Sequence, residues 1–149
     1  MYPQTNAVRS VRDLSGVWDF RFNANEPWQP IAVPASYNDQ SPDPEFRRHY
    51  GMGYYRTTFT VPEGARRVLR FDAVTHNAVV RLNGQEIVTH RGGFLPFEAD
   101  ITALAKPGDT VTLEVEVDNR IGHGTLPVGN EGGTAFFGSD NAGIPAVEA

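Results

Sequence analysis

A chain of 149 residues with no cysteine has the size of one domain and can bury about two-thirds of its unfolded surface; disulfides, thiolate metal sites and cysteine nucleophiles are excluded together. Eighteen acidic residues against 13 Lys plus Arg leave a formal charge of −5, so the phosphate-neutralising surface that nucleic acid requires is lacking. A (β/α)₈ barrel needs about 250 residues and is excluded by length.

Met1-Tyr2-Pro3-Gln4 opens without the basic head and apolar stretch of a signal sequence. Nothing in the sequence is apolar for long enough to span a membrane, and the missing cysteines suit a reducing cytoplasm. The expectation is a single cytoplasmic domain over residues 1–149. Fifteen glycines and 11 prolines punctuate short apolar runs, a rhythm of many strands joined by turns. From Leu14 to Phe22, Trp18, Phe20 and Phe22 alternate with Val17, Asp19 and Arg21, as a half-buried strand requires; Trp18 is predicted to be core. Ser41 to Gly53 is polar and carries no sustained period, so it is predicted to be a surface loop longer than packing requires.

Tyr55, Thr57, Phe59 and Val61 alternate with Arg56, Thr58 and Thr60 until Pro62 removes a ladder donor. Val68 to Phe71 and Asn77 to Leu82 follow. Asn83-Gly84 then joins Asn77–Leu82 to Gln85–His90, the strongest local hairpin signal, because both residues tolerate the positive φ of a type I′ turn. Ile101 to Lys106 is the one helical candidate, a single turn before Pro107-Gly108. From Thr110 to Asp118, Val111, Leu113, Val115 and Val117 face away from Thr112, Glu114, Glu116 and Asp118. Arg120 to Thr134 reads as a second long surface loop. The fold class is therefore all-β, two antiparallel sheets packed face to face, and pattern alone leaves jelly roll and immunoglobulin-like sandwich both open.

Five segments in order carry a resemblance: Leu14-Ser15-Gly16-Val17-Trp18, the run Ile31-Ala32-Val33-Pro34-Ala35-Ser36-Tyr37-Asn38-Asp39-Gln40, Leu69-Arg70-Phe71-Asp72-Ala73-Val74-Thr75-His76, the run from Gly93 to Asp100, and Val115 to Asn119. Together they resemble the amino-terminal sugar-binding domain of family 2 glycoside hydrolases, above all the β-glucuronidases. The resemblance implies a jelly-roll β-sandwich of the galactose-binding type, a role beside a separate catalytic barrel, and carbohydrate as the ligand class. It frays after Asn119. Asp140-Asn141-Ala142-Gly143-Ile144 keeps part of the family's pattern, whereas Phe136-Phe137 stands where a His-Asp pair is expected and Pro145 to Ala149 replaces a closing strand. The expectation is a sandwich without its final strand, whose bare edge leads to homo-oligomer formation or marginal stability.

Glycoside hydrolysis needs two carboxylates flanking the bond, one of them kept protonated. Glu98 with Asp100 and Glu114 with Glu116 share strand faces, and both pairs read as solvated faces. Asn130-Glu131 matches the family's acid/base dipeptide only in letters, since glycines surround it. His49, His76, His90 and His123 lack metal-ligand spacing; His76 reads as a buried or turn-stabilising group. No glycine-rich phosphate loop is present. No catalytic residue, metal or cofactor is expected.

Sugar recognition combines an aromatic platform with amide and carboxylate groups. Tyr37, Asn38 and Asp39 lie in a loop that the resemblance turns toward the barrel, and Asp140 and Asn141 in one that walls the active site there; these five are the carbohydrate-binding candidates. Asn38 reads first as a turn residue and Asp39 is open between turn and sugar contact. Tyr54, Tyr55, Phe94 and Phe97 read as core. Three functions follow: a non-catalytic sugar-binding module, a subunit active only with a separate barrel, or a structural remnant. The substrate preference of the parent enzyme, among glucuronides, galactosides and mannosides, depends on barrel residues.

Overall fold

The computed structural model describes residues 10–37, 40–49, 51–74, 76–92, 95–120 and 147–148. Among them are nine strands and one α-helix: β1 (Gly16–Arg21), β2 (Gln29–Val33), α1 (Pro44–Arg48), β3 (Met52–Thr60), β4 (Val68–Phe71), β5 (Asn77–Leu82), β6 (Gln85–Arg91), β7 (Phe97–Asp100), β8 (Thr110–Asp118) and β9 (Val147–Glu148). One sheet has the order β2-β1-β3-β8-β5-β6 and the other β7-β4-β9. Every pairing is antiparallel.

The predicted alternation sets the inner faces. Trp18 and Phe20 of β1, Ile31 and Val33 of β2, Tyr55 and Phe59 of β3, Val80 and Leu82 of β5 and the four apolar residues of β8 are buried together with Leu69, Phe71 and Phe97 of the second sheet in one core. Each large apolar side chain so buried contributes about 1.5–3 kcal/mol. The Asn83-Gly84 turn has φ of 50° and 82°, and the Asn83 side chain accepts from Thr112 N at 2.9 Å, tying the hairpin to β8. Gly53 is dictated by space, since a Cβ there would lie 3.1 Å from the Phe20 ring. Arg67 is buried without a carboxylate partner among the described residues; its guanidinium donates to the carbonyls of Gly64, Thr102 and Ala105.

Among the described residues the two sheets are unequal, and that inequality bears on the segment after β2. Strands about 4.8 Å apart let a three-stranded sheet cover only half of a six-stranded one, and β7 approaches β6, which leaves the inner face of β1 and β2 in need of a cover. The segment from Pro34 to His49 supplies it. Tyr37 stacks on Phe20 at 5.4 Å, and Phe46 packs edge-on to Phe22 at 4.9 Å. Within the predicted loop Ser41 to Gly53, Phe46 is thus in the core, Met52 and Gly53 already belong to β3, and α1 is present: Pro44 occupies the first turn and the Asp43 carboxylate accepts from Glu45 N at 2.9 Å as its N-cap. Ile101–Lys106, by contrast, makes only a turn, with Leu104 and Ala105 N–H groups donating to the Ile101 carbonyl.

Two further expectations are corrected. A strand does stand where its absence was expected: β9, whose Val147 and Glu148 pair with Phe71 and Arg70, so that half of β4 is flanked on both sides and β9 becomes the edge of its sheet. Tyr54 is half-buried on the outer face of β3 rather than in the core. Pro30 is accommodated within β2 because that strand lies at a sheet edge, where a missing donor is tolerated.

Candidate functional site

One end of the sandwich brings together Tyr37, His49 and His76, three of the groups singled out from the sequence. There β1 and β8 finish while β3 and β5 begin, as the registers Arg21↔Tyr54, Met52↔Asp118 and Asn77↔Asp118 require. Its centre is Asn119, fully buried. The Asn119 Oδ1 accepts from Gly51 N at 2.6 Å, its backbone N–H donates to the Gly51 carbonyl at 3.1 Å, and its Nδ2 donates to the Tyr37 hydroxyl. That hydroxyl in turn donates to the His49 carbonyl at 3.3 Å, and His49 Nε2 meets the Met52 carbonyl at 2.6 Å. A side-chain amide therefore joins the root of the chain after β8 to the segment that covers β1.

Tyr37 is the carbohydrate-binding candidate whose side chain lies among the described residues, and it is 2 % exposed. Both its ring and its hydroxyl are consumed by the core, so it offers no face to a pyranose; burial, then the charge of Asp118, push its proton affinity up and keep the phenol neutral. Asn38, Asp39, Asp140 and Asn141 lie outside the described residues, as do Asn130-Glu131, Phe94, His123 and Phe136-Phe137.

The residues on either side of Asn38-Asp39 are nevertheless well fixed. Tyr37 is locked in the core, and Gln40 binds the free edge of β2 through both ends of its amide: Ala32 N donates to Oε1 at 2.6 Å and Nε2 donates to the Ala32 carbonyl at 2.9 Å. Gln40 N–H also donates to the Tyr37 carbonyl at 3.2 Å. Gln40 was not picked out from sequence, because only its place beside an edge strand gives the amide a backbone to imitate.

His76 is buried as expected. Its N–H donates to the Asp118 carbonyl, its carbonyl accepts from Gly92 N, and its Nδ1 has no hydrogen-bond partner. Burial pushes its proton affinity down, with Asp118 opposing. For Asp118, burial raises the proton affinity but is outweighed by the Arg120 side chain and N–H and by His76, so the net displacement is downward. His90 stacks on Phe97 at 4.3 Å. Among the described residues no group of three or more His, Asp or Glu side chains is placed to hold a metal ion, and no helix is long and apolar enough to cross a membrane.

The acidic pairs behave as solvated faces. Glu98 pairs with Arg70 at 3.1 Å, Asp100 with Arg66 at 3.1 Å and Glu116 with Arg81 at 2.8 Å. Asp13, Asp100 and Asp118 are all displaced downward in proton affinity, the direction opposite to that of a proton-donating carboxyl.

Residues 11–124 match the family described as glycosyl hydrolases family 2, sugar binding domain. The β-glucuronidase of Paenibacillus borealis is 40% identical over 145 residues, spanning 87% of this chain and 24% of that protein, and the human β-glucuronidase is 32% identical over 157 residues with the same shares. Among solved structures, Faecalibacterium prausnitzii β-glucuronidase superposes with a TM-score of 0.87 at 42% identity, over 99% of this chain and 32% of that one. Bifidobacterium dentium β-glucuronidase complexed with coumarin-3-O-glucuronide gives 0.79 at 51% identity, over 94% and 25%. The chain spans about a quarter of the length of the curated relatives it matches. It belongs to the sugar-binding domain family of the family 2 glycosyl hydrolases.

Proposed function

We propose that this chain is the non-catalytic sugar-binding module of a β-glucuronidase-type hydrolase, buttressing a catalytic barrel and lining the entrance to its active site. The observation that carries the reading is coverage: nearly the whole chain aligns with less than a third of each β-glucuronidase named above. The carboxyl groups support it, since Glu98, Asp100 and Glu116 are held by arginines and none of the displaced ones moves toward a protonated state at neutral pH.

In this reading Asn38 and Asp39 contact the bound sugar or the barrel from between two fixed residues, and Asp140 and Asn141 contribute from the segment after β8. The substrate class is a glucuronide. Purified chain, a separately produced barrel and their mixture are assayed on an aryl glucuronide. Turnover by the mixture well above that of either part is expected. Turnover by the chain alone, abolished by altering one of its own carboxylates, overturns the reading, as does a barrel equally active without it.

A further inference from the structure

On the outward face of the larger sheet, Arg56 and Arg81 are each spent on a carboxylate. Arg56 turns the Nε–Nη2 edge of its guanidinium to Asp19 Oδ2, at 3.2 and 2.9 Å, and Arg81 pairs with Glu116 at 2.8 Å. Arg21, half-buried at the end of β1, makes no such pair among the described residues. Its Nη1 donates to the Glu26 carbonyl at 3.4 Å, a long contact, while the Glu26 carboxylate accepts from Asn23. Its Nε is buried and has no acceptor. A donor left so on a charged group is costly, and in a folded protein it marks a place where an acceptor belongs.

The guanidinium is also held in position. Trp28 stacks on Arg21 at 4.0 Å and on Arg56 at 4.1 Å, so the indole serves as a wall that orients the fork. Directly opposite Arg21 on β3 is Tyr54, and directly opposite Tyr54 on β8 is Glu116. Tyr54 is half-buried on this outer face. Guanidinium, phenol ring and carboxylate thus stand on three adjacent strands, and strands about 4.8 Å apart put roughly 10 Å between the first and the last, the width of one pyranose ring with a hydrogen bond at each end. Arg21 calls for a carboxylate on its Nε–Nη2 edge, in the geometry Arg56 already uses for Asp19; the Tyr54 ring calls for an apolar C–H face; Glu116, its charge offset by Arg81, accepts from hydroxyls. A uronic acid carries all three on one ring.

We infer that Arg21, Tyr54 and Glu116 form a surface site for a uronic acid, whose carboxylate is bound by Arg21. The site lies wholly on this chain and needs no barrel, so its failure and that of the function proposed above are independent. The test titrates the whole isotope-labelled chain with glucuronate, glucose or acetate at constant ionic strength and follows the Arg21 Nε–H and Tyr54 resonances by NMR. Glucuronate is expected to shift both saturably, and glucose and acetate, each lacking part of the ligand, to bind about tenfold more weakly or less. Arg21→Gln weakens glucuronate binding about tenfold or more, Arg21→Lys weakens it too because the charge remains without the fork, and Tyr54→Ala costs about threefold or more. Arg66→Gln, which removes the same charge from the smaller sheet, leaves affinity unchanged. Circular dichroism and thermal melting establish that each variant is folded. Absence of a saturable shift with glucuronate, equal affinity for acetate or glucose, or unweakened binding by folded Arg21→Gln and Arg21→Lys overturns the inference.

Discussion

Replacing Tyr37 by Phe separates a buried strut from a sugar platform. The substitution keeps the ring against Phe20 and Phe22 but deletes the hydroxyl, leaving Nδ2 of a fully buried Asn119 without its acceptor and the His49 carbonyl without its donor. An orphaned buried polar group costs about 1–3 kcal/mol, and the 3.3 Å bond to His49 adds little. The expected loss is about 2 kcal/mol, equivalent to roughly 4–8 °C in melting temperature for a domain of this size. Tyr37→Ala also removes the ring and belongs with buried aromatic truncations, about 3–5 kcal/mol. Urea denaturation followed by fluorescence and circular dichroism gives both values, provided the two probes coincide and the slope is unchanged. A Phe variant within about 0.5 kcal/mol of the parent, the range of ordinary surface substitutions, refutes the reasoning and restores Tyr37 as an exposed group.

Arg67→Leu leaves three carbonyls without their guanidinium donor and is expected to destabilise by on the order of 3 kcal/mol; Arg67→Lys recovers only part of that, because a single ammonium does not reproduce the planar fork. Gln40→Glu keeps the bond from Ala32 N but sets a carboxylate against the Ala32 carbonyl, so its loss of stability at neutral pH exceeds the roughly 1–2 kcal/mol of Gln40→Ala and shrinks on acidification, measured by chemical denaturation at pH 4 and 7. Because burial depresses His76 below its ordinary value of 6.5, the unfolded chain binds more protons there below that pH. The neutral imidazole's contribution is thus complete above 6.5 and declines as pH falls from 6.5 toward the folded value; His76→Gln flattens this limb of the stability profile. Asp100, lowered to about 2 from 3.8 mainly by its bonds to Thr102, acts in a separate window, its contribution present above 3.8 and lost as pH falls toward 2.

What was legible in the sequence is what depends on local periodicity. β1, β3, β8 and the β5–β6 hairpin follow from alternation and from Asn83-Gly84, whose conformation is decided by the two residues themselves. α1 had a local signature too, Asp43 capping with Pro44 and Glu45 behind it, but a helix of five residues is too short to develop a period. β2 contains Pro30, which a strand tolerates only at an edge, and its place at an edge is a property of the assembled sheet. β9 is two residues long and has meaning only beside Arg70 and Phe71. The burial of Tyr37 lies in the same class: it follows from a three-stranded sheet failing to cover a six-stranded one, a relation between segments far apart in the chain.

That outcome changes how the run Ile31 to Gln40 is read. A motif shared with an enzyme family invites the assumption that its polar and aromatic members meet the ligand, yet its one aromatic residue and its glutamine are taken up by the fold. Ile31, Val33 and Tyr37 fill the core. Gln40 saturates the Ala32 edge. Asn38 and Asp39 lie in the chain between a residue locked in the core and one clamped to a strand, with Tyr37 and Gln40 bonded to each other. Fixing both flanks of a short segment lowers the conformational entropy lost when it makes a contact. A functional role for this motif therefore falls first on Asn38 and Asp39, with Tyr37 and Gln40 fixing the flanks.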